Sequence, residues 1–149
     1  MVQSCLTGYW WYQVLCVEDG AEAYLLLAEK LAAEGVEGLA QRVLNPRDPL
    51  RDEAIRGLAI APAPLATAAL LHLLEADTLE CRSAVLEILR TRPDDAGTIR
   101  TVWERIAAHL QRDARAQGLE TAGRLPAQRA AFVLPLWTRD ADVVLRRRA

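Results

Sequence analysis

Four arginines, Arg51, Arg82, Arg115 and Arg146, stand 31, 33 and 31 residues apart in a chain of 149 residues. A period of that length marks stacked supersecondary units, none of which can bury its apolar face alone. The third, fourth and seventh places after each arginine are apolar or small: Ala54, Ile55 and Leu58; Val85, Leu86 and Leu89; Gly118, Leu119 and Ala122. That grouping forms one stripe on an α-helix. After Arg146 only Ala149 remains to fill the stripe, and 31 residues before Arg51 stands Gly20, followed by Ala23, Tyr24 and Leu27 in the same slots. The chain therefore reads as an array of helical units.

The residues between the stripes are helix breakers and caps. Asp19 and Glu22 form a capping box for a helix that runs to Glu34 and stops at Gly35. Residues 36–44 form a short helix ended by Asn45 and Pro46, and the NPRDP connector leads into the Arg51 helix, which ends near Ala61. Pro62 and Pro64 suit positions at or before the first turn of a helix over 65–75, where a missing amide costs little. Asp77 or Thr78 starts the Arg82 helix, which stops before Pro93; DDAG opens a helix over 98–110, and Asp113 opens the Arg115 helix. Pro126 begins a helix over 127–138, and Asp140 or Asp142 caps the last one. Residues 9–17, YWWYQVLCV, have strand propensity, yet the register gives them the place of a first helix, with Trp10, Trp11 and Tyr12 as a hydrophobic cap or an aromatic ligand pocket. The expected fold is all-α: one domain, 1–149, with a cap over 1–17 and units 18–61, 62–92, 94–124 and 126–149, the last incomplete.

Composition excludes several classes. Hydrophobic residues make up 52% and charged residues 26%, a globular balance. A single lysine, Lys30, against 17 arginines reads as the codon bias of a GC-rich bacterial genome. A net charge of −2 argues against a dedicated nucleic-acid binder. Residues 1–75 hold 10 acidic and 5 basic groups and residues 76–149 hold 10 and 13, so a stacked array would have an acidic and a basic end. Cys5, Cys16 and Cys81 are odd in number and lack metal-site spacing, which points to reduced thiols. The N-terminus has no basic n-region, and the most apolar run, 58–74, is broken by Pro62, Pro64 and His72. A cytoplasmic protein without a membrane span is expected.

The units resemble HEAT repeats. The residues that carry the likeness are DPLRDEAIRGL at 48–58, DTLECRSAVLEIL at 77–89, RDARAQGLETA at 112–122 and RDADVVLRRRA at 139–149, each a loop acid followed by an apolar-Arg-x-x-small pattern. The likeness covers 36–149 well and 9–35 loosely, and it departs where Gly118 replaces the usual Ala and where the third unit carries two extra residues. It implies a right-handed α-solenoid of four to five stacked helix-turn-helix units, with the second helices lining a concave surface that binds proteins. It also implies that Arg51, Arg82, Arg115 and Arg146 serve turns and packing.

No motif for chemistry stands out. His72 and His109 lie 10 and 6 residues before their unit arginines, without a metal-ligand set. A Gly-rich phosphate loop and a nucleophile elbow are both absent from the sequence, so no catalytic residue, metal or cofactor is assigned. Asp94 and Asp95 read as helix caps, and Arg146, Arg147 and Arg148 as a solvated terminus. The expected function is a non-enzymatic protein-binding scaffold, similar in size and fold to bacterial immunity proteins encoded beside toxins; an assembly adaptor is the alternative. A second alternative is an alkylpurine DNA glycosylase of HEAT-like fold, with Trp103, Trp137, Asp113 and the C-terminal arginines as its gripping set. Counted from each unit arginine, the second place gives Glu22, Glu53, Ala84, Gln117 and Arg148, and the fifth gives Leu25, Arg56, Glu87 and Glu120; these rows are the candidate partner-binding face. Because the last unit is cut short, Phe132, Val133, Leu136 and Trp137 are expected to be partly uncovered and to form a homodimer edge.

Overall fold

The computed structural model describes residues 35–92 and 99–149. Residues 9–17, the Asp19–Glu22 capping box, Glu22, Leu25, Cys5, Cys16, Asp94 and Asp95 lie outside the described residues. Within them the fold is all helical, without strands. The helices are α1 over 35–44, α2 Arg51–Ile60, α3 Ala63–Glu75, α4 Leu79–Thr91, α5 Arg100–Ala107, α6 Arg112–Gly123, α7 Ala127–Val133 and α8 Val143–Arg148. α7 passes directly into a 3-10 turn, Leu134–Trp137.

Local chemistry explains the boundaries. Gly35, the first described residue, takes φ 68°, a left-handed backbone that glycine adopts without strain. In the connector before α2, Asp48 Oδ1 accepts from the Leu50 amide at 2.8 Å and pairs with Arg42 at 3.2 Å. Pro64 falls in the first turn of α3, after Pro62 in the cap position. Of the two candidates for the start of α4, Thr78 is the cap, its hydroxyl accepting from the Cys81 amide at 3.2 Å, while Asp77 turns the chain at φ 50°. The Asp142 carboxylate caps α8 through the Val144 and Leu145 amides at 2.8 and 3.2 Å.

Three boundaries differ from expectation. α5 ends at Ala107 rather than at residue 110, and His109 Nδ1 beyond it accepts from the Gln111 amide at 3.0 Å. α6 has Gln111 in its cap position, and Asp113 is an exposed first-turn residue rather than the opener. The segment 127–138 is not one α-helix. Pro135 has no amide to donate to the ladder, and the chain tightens into the 3-10 turn there.

Packing alternates along the chain. α3 packs on α4 and α5 on α6 as hairpins, while α2, α4, α6 and α8 contact one another in sequence and α3 contacts α5, which contacts the 3-10 turn. The stripes read from the sequence meet inside: Ala54 and Leu58, Val85, Leu86 and Leu89, and Leu119 and Ala122 are buried and belong to one continuous cluster with Leu70, Leu73, Val102 and Leu145. Gly118 sits at a close approach of neighbouring elements. A Cβ there would fall against Ile106 Cγ2 and 3.0 Å from Trp137 Cζ2, so the departure from Ala makes room for an indole.

The C-terminal edge also corrects an expectation. Val133 and Trp137 are 1% and 0% exposed, Leu136 is half-buried, and only Phe132 of the four stands open at 64%. Trp137 meets Trp103 edge to face at 6.4 Å and donates its indole N–H to the Arg115 carbonyl at 3.0 Å. In the short α8, Leu145, one residue before Arg146, is buried and Ala149 packs on the core, while Val143 and Val144 stay exposed. The slot before the unit arginine is also buried at Cys81 and Ala114.

Candidate binding face and the groove beside it

The unit arginines act on the turns. Arg51 donates to the Val43 carbonyl at 3.1 Å and, across the next unit, to the Glu80 carbonyl at 3.1 Å. Arg82 donates to the carbonyl and the carboxylate of Asp77 at 3.0 and 2.8 Å. Arg115 holds the carbonyls of His109 and Leu110 at 2.8 and 3.1 Å and the Asp140 carboxylate at 2.8 Å. Arg146 reaches the carbonyls of Asp140 and Ala141. All four guanidinium groups are committed to backbone oxygens at or beside the turns.

The outward side of α2, α4, α6 and α8 carries the residues proposed from sequence, with one rearrangement. Fifth-place Arg56, Glu87 and Glu120 are exposed. Second-place residues sit lower: Ala84 is buried, Glu53 and Gln117 are half-buried, and Arg148 is exposed. Glu53 Oε2 is buried without a hydrogen-bond partner. Gln117 Nε2 donates to Ser83 Oγ at 3.1 Å and so ties α6 to α4. Two grooves run between the helices, one of about 160 Å³ lined by Glu87 and Gln117 among others, and one of about 460 Å³ lined by Gln117, Glu120 and Arg148. Gln117 and Arg148 of the second-place row line these grooves together with Glu87 and Glu120 of the exposed fifth-place row.

Each crest carboxylate has a partner on its own helix. Arg90 grips Glu87 through two bonds of 3.0 and 2.7 Å, and this hydrogen bonding holds the Glu87 carboxyl below its ordinary range and raises the guanidinium's pKa. Arg124 meets Glu120 at 2.6 Å. Neither arginine was singled out from sequence, although the i,i+3 and i,i+4 spacing was a readable signal. At the chain's end Arg112 pairs with Asp142 at 2.6 Å, and that bond, together with the cap amides, lowers the Asp142 pKa.

A second feature was not legible in sequence. Asp77 Oδ1 receives His109 Nε2 at 2.8 Å from 32 residues away, beside its bond from Arg82. These two donors, His109 foremost, pull the Asp77 carboxyl below its ordinary value. His109 Nδ1 accepts an amide, so the proton sits on Nε2 and neither ring nitrogen is left to serve as a base. The clasp lines a groove of about 390 Å³ between the α3–α4 and α5–α6 hairpins.

The remaining sequence candidates do not assemble. His72 is exposed and lies 3.7 Å from Glu75. Trp103 and Trp137 face each other in the core, where neither ring can stack on a base, and the Asp113 side chain is fully in solvent. Among the described residues no group of three or more His, Cys, Asp or Glu side chains is placed to hold a metal ion, and no helix is long and apolar enough to cross a membrane. No family model matches the chain, and neither does any curated protein or solved structure.

Proposed function

We propose that this chain is a HEAT-like α-solenoid that binds another protein across the outward face of α2, α4, α6 and α8 and catalyses no reaction. The reading rests on the packing order, second helix on second helix and first on first, which leaves each second helix one buried stripe and one solvated crest. The crests carry alternating charge at Arg56, Glu87, Arg90, Glu120 and Arg124 over grooves walled by Gln117 and Arg148. Rims of that kind select a partner by charge register more than by buried area. Within this class we take the specific reading to be an immunity protein that neutralises a toxin encoded beside it.

The test is a titration of the neighbouring gene's product with wild type and with Arg56→Glu, Glu87→Arg, Glu120→Arg combined. All three side chains are exposed, so the melting temperature should move by no more than a few degrees, each surface change being worth about 0.5 kcal/mol or less. The dissociation constant should rise at least about tenfold, as loss of about 1.4 kcal/mol requires. Equal binding by both proteins would remove this face, and no complex with wild type would remove the immunity reading.

A further inference from the structure

Between Glu120 and Asp140 the chain carries three arginines and no acidic residue. Arg124 is matched by Glu120 at 2.6 Å. Arg129 donates to the Leu89 carbonyl at 3.0 Å, and Arg139 is exposed with neither a hydrogen bond nor an ion pair among the described residues. The acid next along the chain, Asp140, is buried and held by Arg115 at 2.8 Å. Two guanidinium charges on α7 and the turn after it are therefore met by no carboxylate among the described residues.

The same segment presents apolar surface. Phe132, Pro135, Leu136 and Arg139 line a groove of about 580 Å³, to which Arg100 contributes from the start of α5. Phe132 is 64% exposed, so most of an aromatic side chain stands open at the groove. Arg100 is matched by Glu104 at 2.7 Å through Nε, which makes that pair neutral and leaves the excess positive charge with Arg139. No carboxylate lines the groove among the described residues. Aromatic and arginine side chains are the ones that carry most of the energy at protein interfaces, and the sign of the charge selects an acidic partner. A nucleic acid would need denser positive charge than one free arginine on a chain of net charge −2.

We propose that this groove docks an acidic segment of another protein, with one large apolar side chain seated against Phe132 and Leu136 and a carboxylate on Arg139. None of its lining residues belongs to the outward face of α2, α4, α6 and α8, so the inference is independent of that face.

The probe is a short synthetic peptide in which a phenylalanine and a leucine are flanked by glutamates, followed by calorimetry and amide chemical shifts on the full chain. The same peptide with glutamines for glutamates and a thymidine oligonucleotide are run alongside. The acidic peptide should bind saturably with a dissociation constant on the order of 0.1 mM, should shift amides over 131–139, and should weaken as salt is raised from about 50 to about 300 mM. The glutamine peptide should bind at least about threefold more weakly. Phe132→Ser should weaken the acidic peptide at least about tenfold and Arg139→Glu at least about threefold. Both side chains are exposed, so the melting temperature of each variant should stay close to that of wild type. The combined Arg56, Glu87 and Glu120 reversal should keep the peptide. The proposal is overturned if the acidic peptide fails to saturate, if the glutamine peptide binds as well, if both single variants bind like wild type, or if the oligonucleotide binds more tightly than the peptide.

Discussion

Alanine in place of glycine inside a helix ordinarily stabilises by about 1 kcal/mol, and Gly118→Ala should do the opposite. The new Cβ would fall inside contact distance of Ile106 Cγ2 and 3.0 Å from Trp137 Cζ2. Neither neighbour can easily give way. Ile106 is 5% exposed and β-branched, hence stiff at χ1, and Trp137 is pinned by its N–H bond to the Arg115 carbonyl and by its edge contact with Trp103. Overpacking costs about 1–3 kcal/mol, and an overlap on two fixed groups belongs near about 3. Subtracting the propensity gain of about 1 kcal/mol leaves a net loss of about 2 kcal/mol, or about 4–8 °C in Tm for a chain of this size. Urea titration should show a lower midpoint with an unchanged slope. Gly123→Ala is the internal control, because a Cβ there meets nothing within 4 Å. If both variants gained stability alike, the account of Gly118 as a packing glycine would be wrong.

Two further outcomes follow from the polar contacts. Arg92 is 1% exposed and donates to the Leu58 and Ala61 carbonyls at 2.8 and 2.7 Å, so Arg92→Met, which keeps the stem, should cost about 3–5 kcal/mol in urea titration by leaving two buried acceptors short of a charged donor. Asp77→Asn should be compared with wild type from pH 7 to pH 3 by thermal melting, with asparagine chosen because it accepts the φ of 50° at this turn. The folded pKa of Asp77 lies below its ordinary 3.8; the contribution is therefore complete above about pH 4 and fades as pH falls through the folded value. The wild-type advantage should shrink below pH 4, and a constant or growing advantage would contradict the clasp.

What could be read from the sequence was what depends on neighbours along the chain. The stripe after each unit arginine, the Thr78 and Asp142 caps and the prolines at helix starts are local, and they appear where the pattern puts them. Contacts that close across a unit were not readable. Asp77 and His109 are 32 residues apart, and no local signal pairs a turn acid with a histidine at the end of the following first helix. The same holds for Arg92, whose carbonyl partners lie 34 and 31 residues back. The C-terminal edge differs from expectation because the apolar stripe of α8 also uses the residue before Arg146. The buried position is Leu145, on the other side of that arginine, in a helix of six residues. Ala84 interrupts the second-place row because it is buried against its neighbours, which spacing along one helix does not reveal.

The period of the arginines is sharper than that of any other residue type, and the turns suggest why. Each turn between a first and a second helix exposes carbonyls at varied positions: Val43, Asp77, His109 with Leu110, and Asp140 with Ala141. Only a long side chain with several donors in a plane can meet such a changing set and still reach onward to the next unit, as Arg51 does to the Glu80 carbonyl and Arg115 to Asp140. In a stacked array the interface between neighbours carries much of the stability. A bond from one turn to the next strengthens that term and also fixes how far each unit is rotated on the last. Lysine could satisfy the Asp140 charge at position 115, but with one nitrogen it would have to release the His109 or Leu110 carbonyl. The arginine spacing is therefore the trace of a mechanical requirement at the turns, and the exposed crests are free to vary around it.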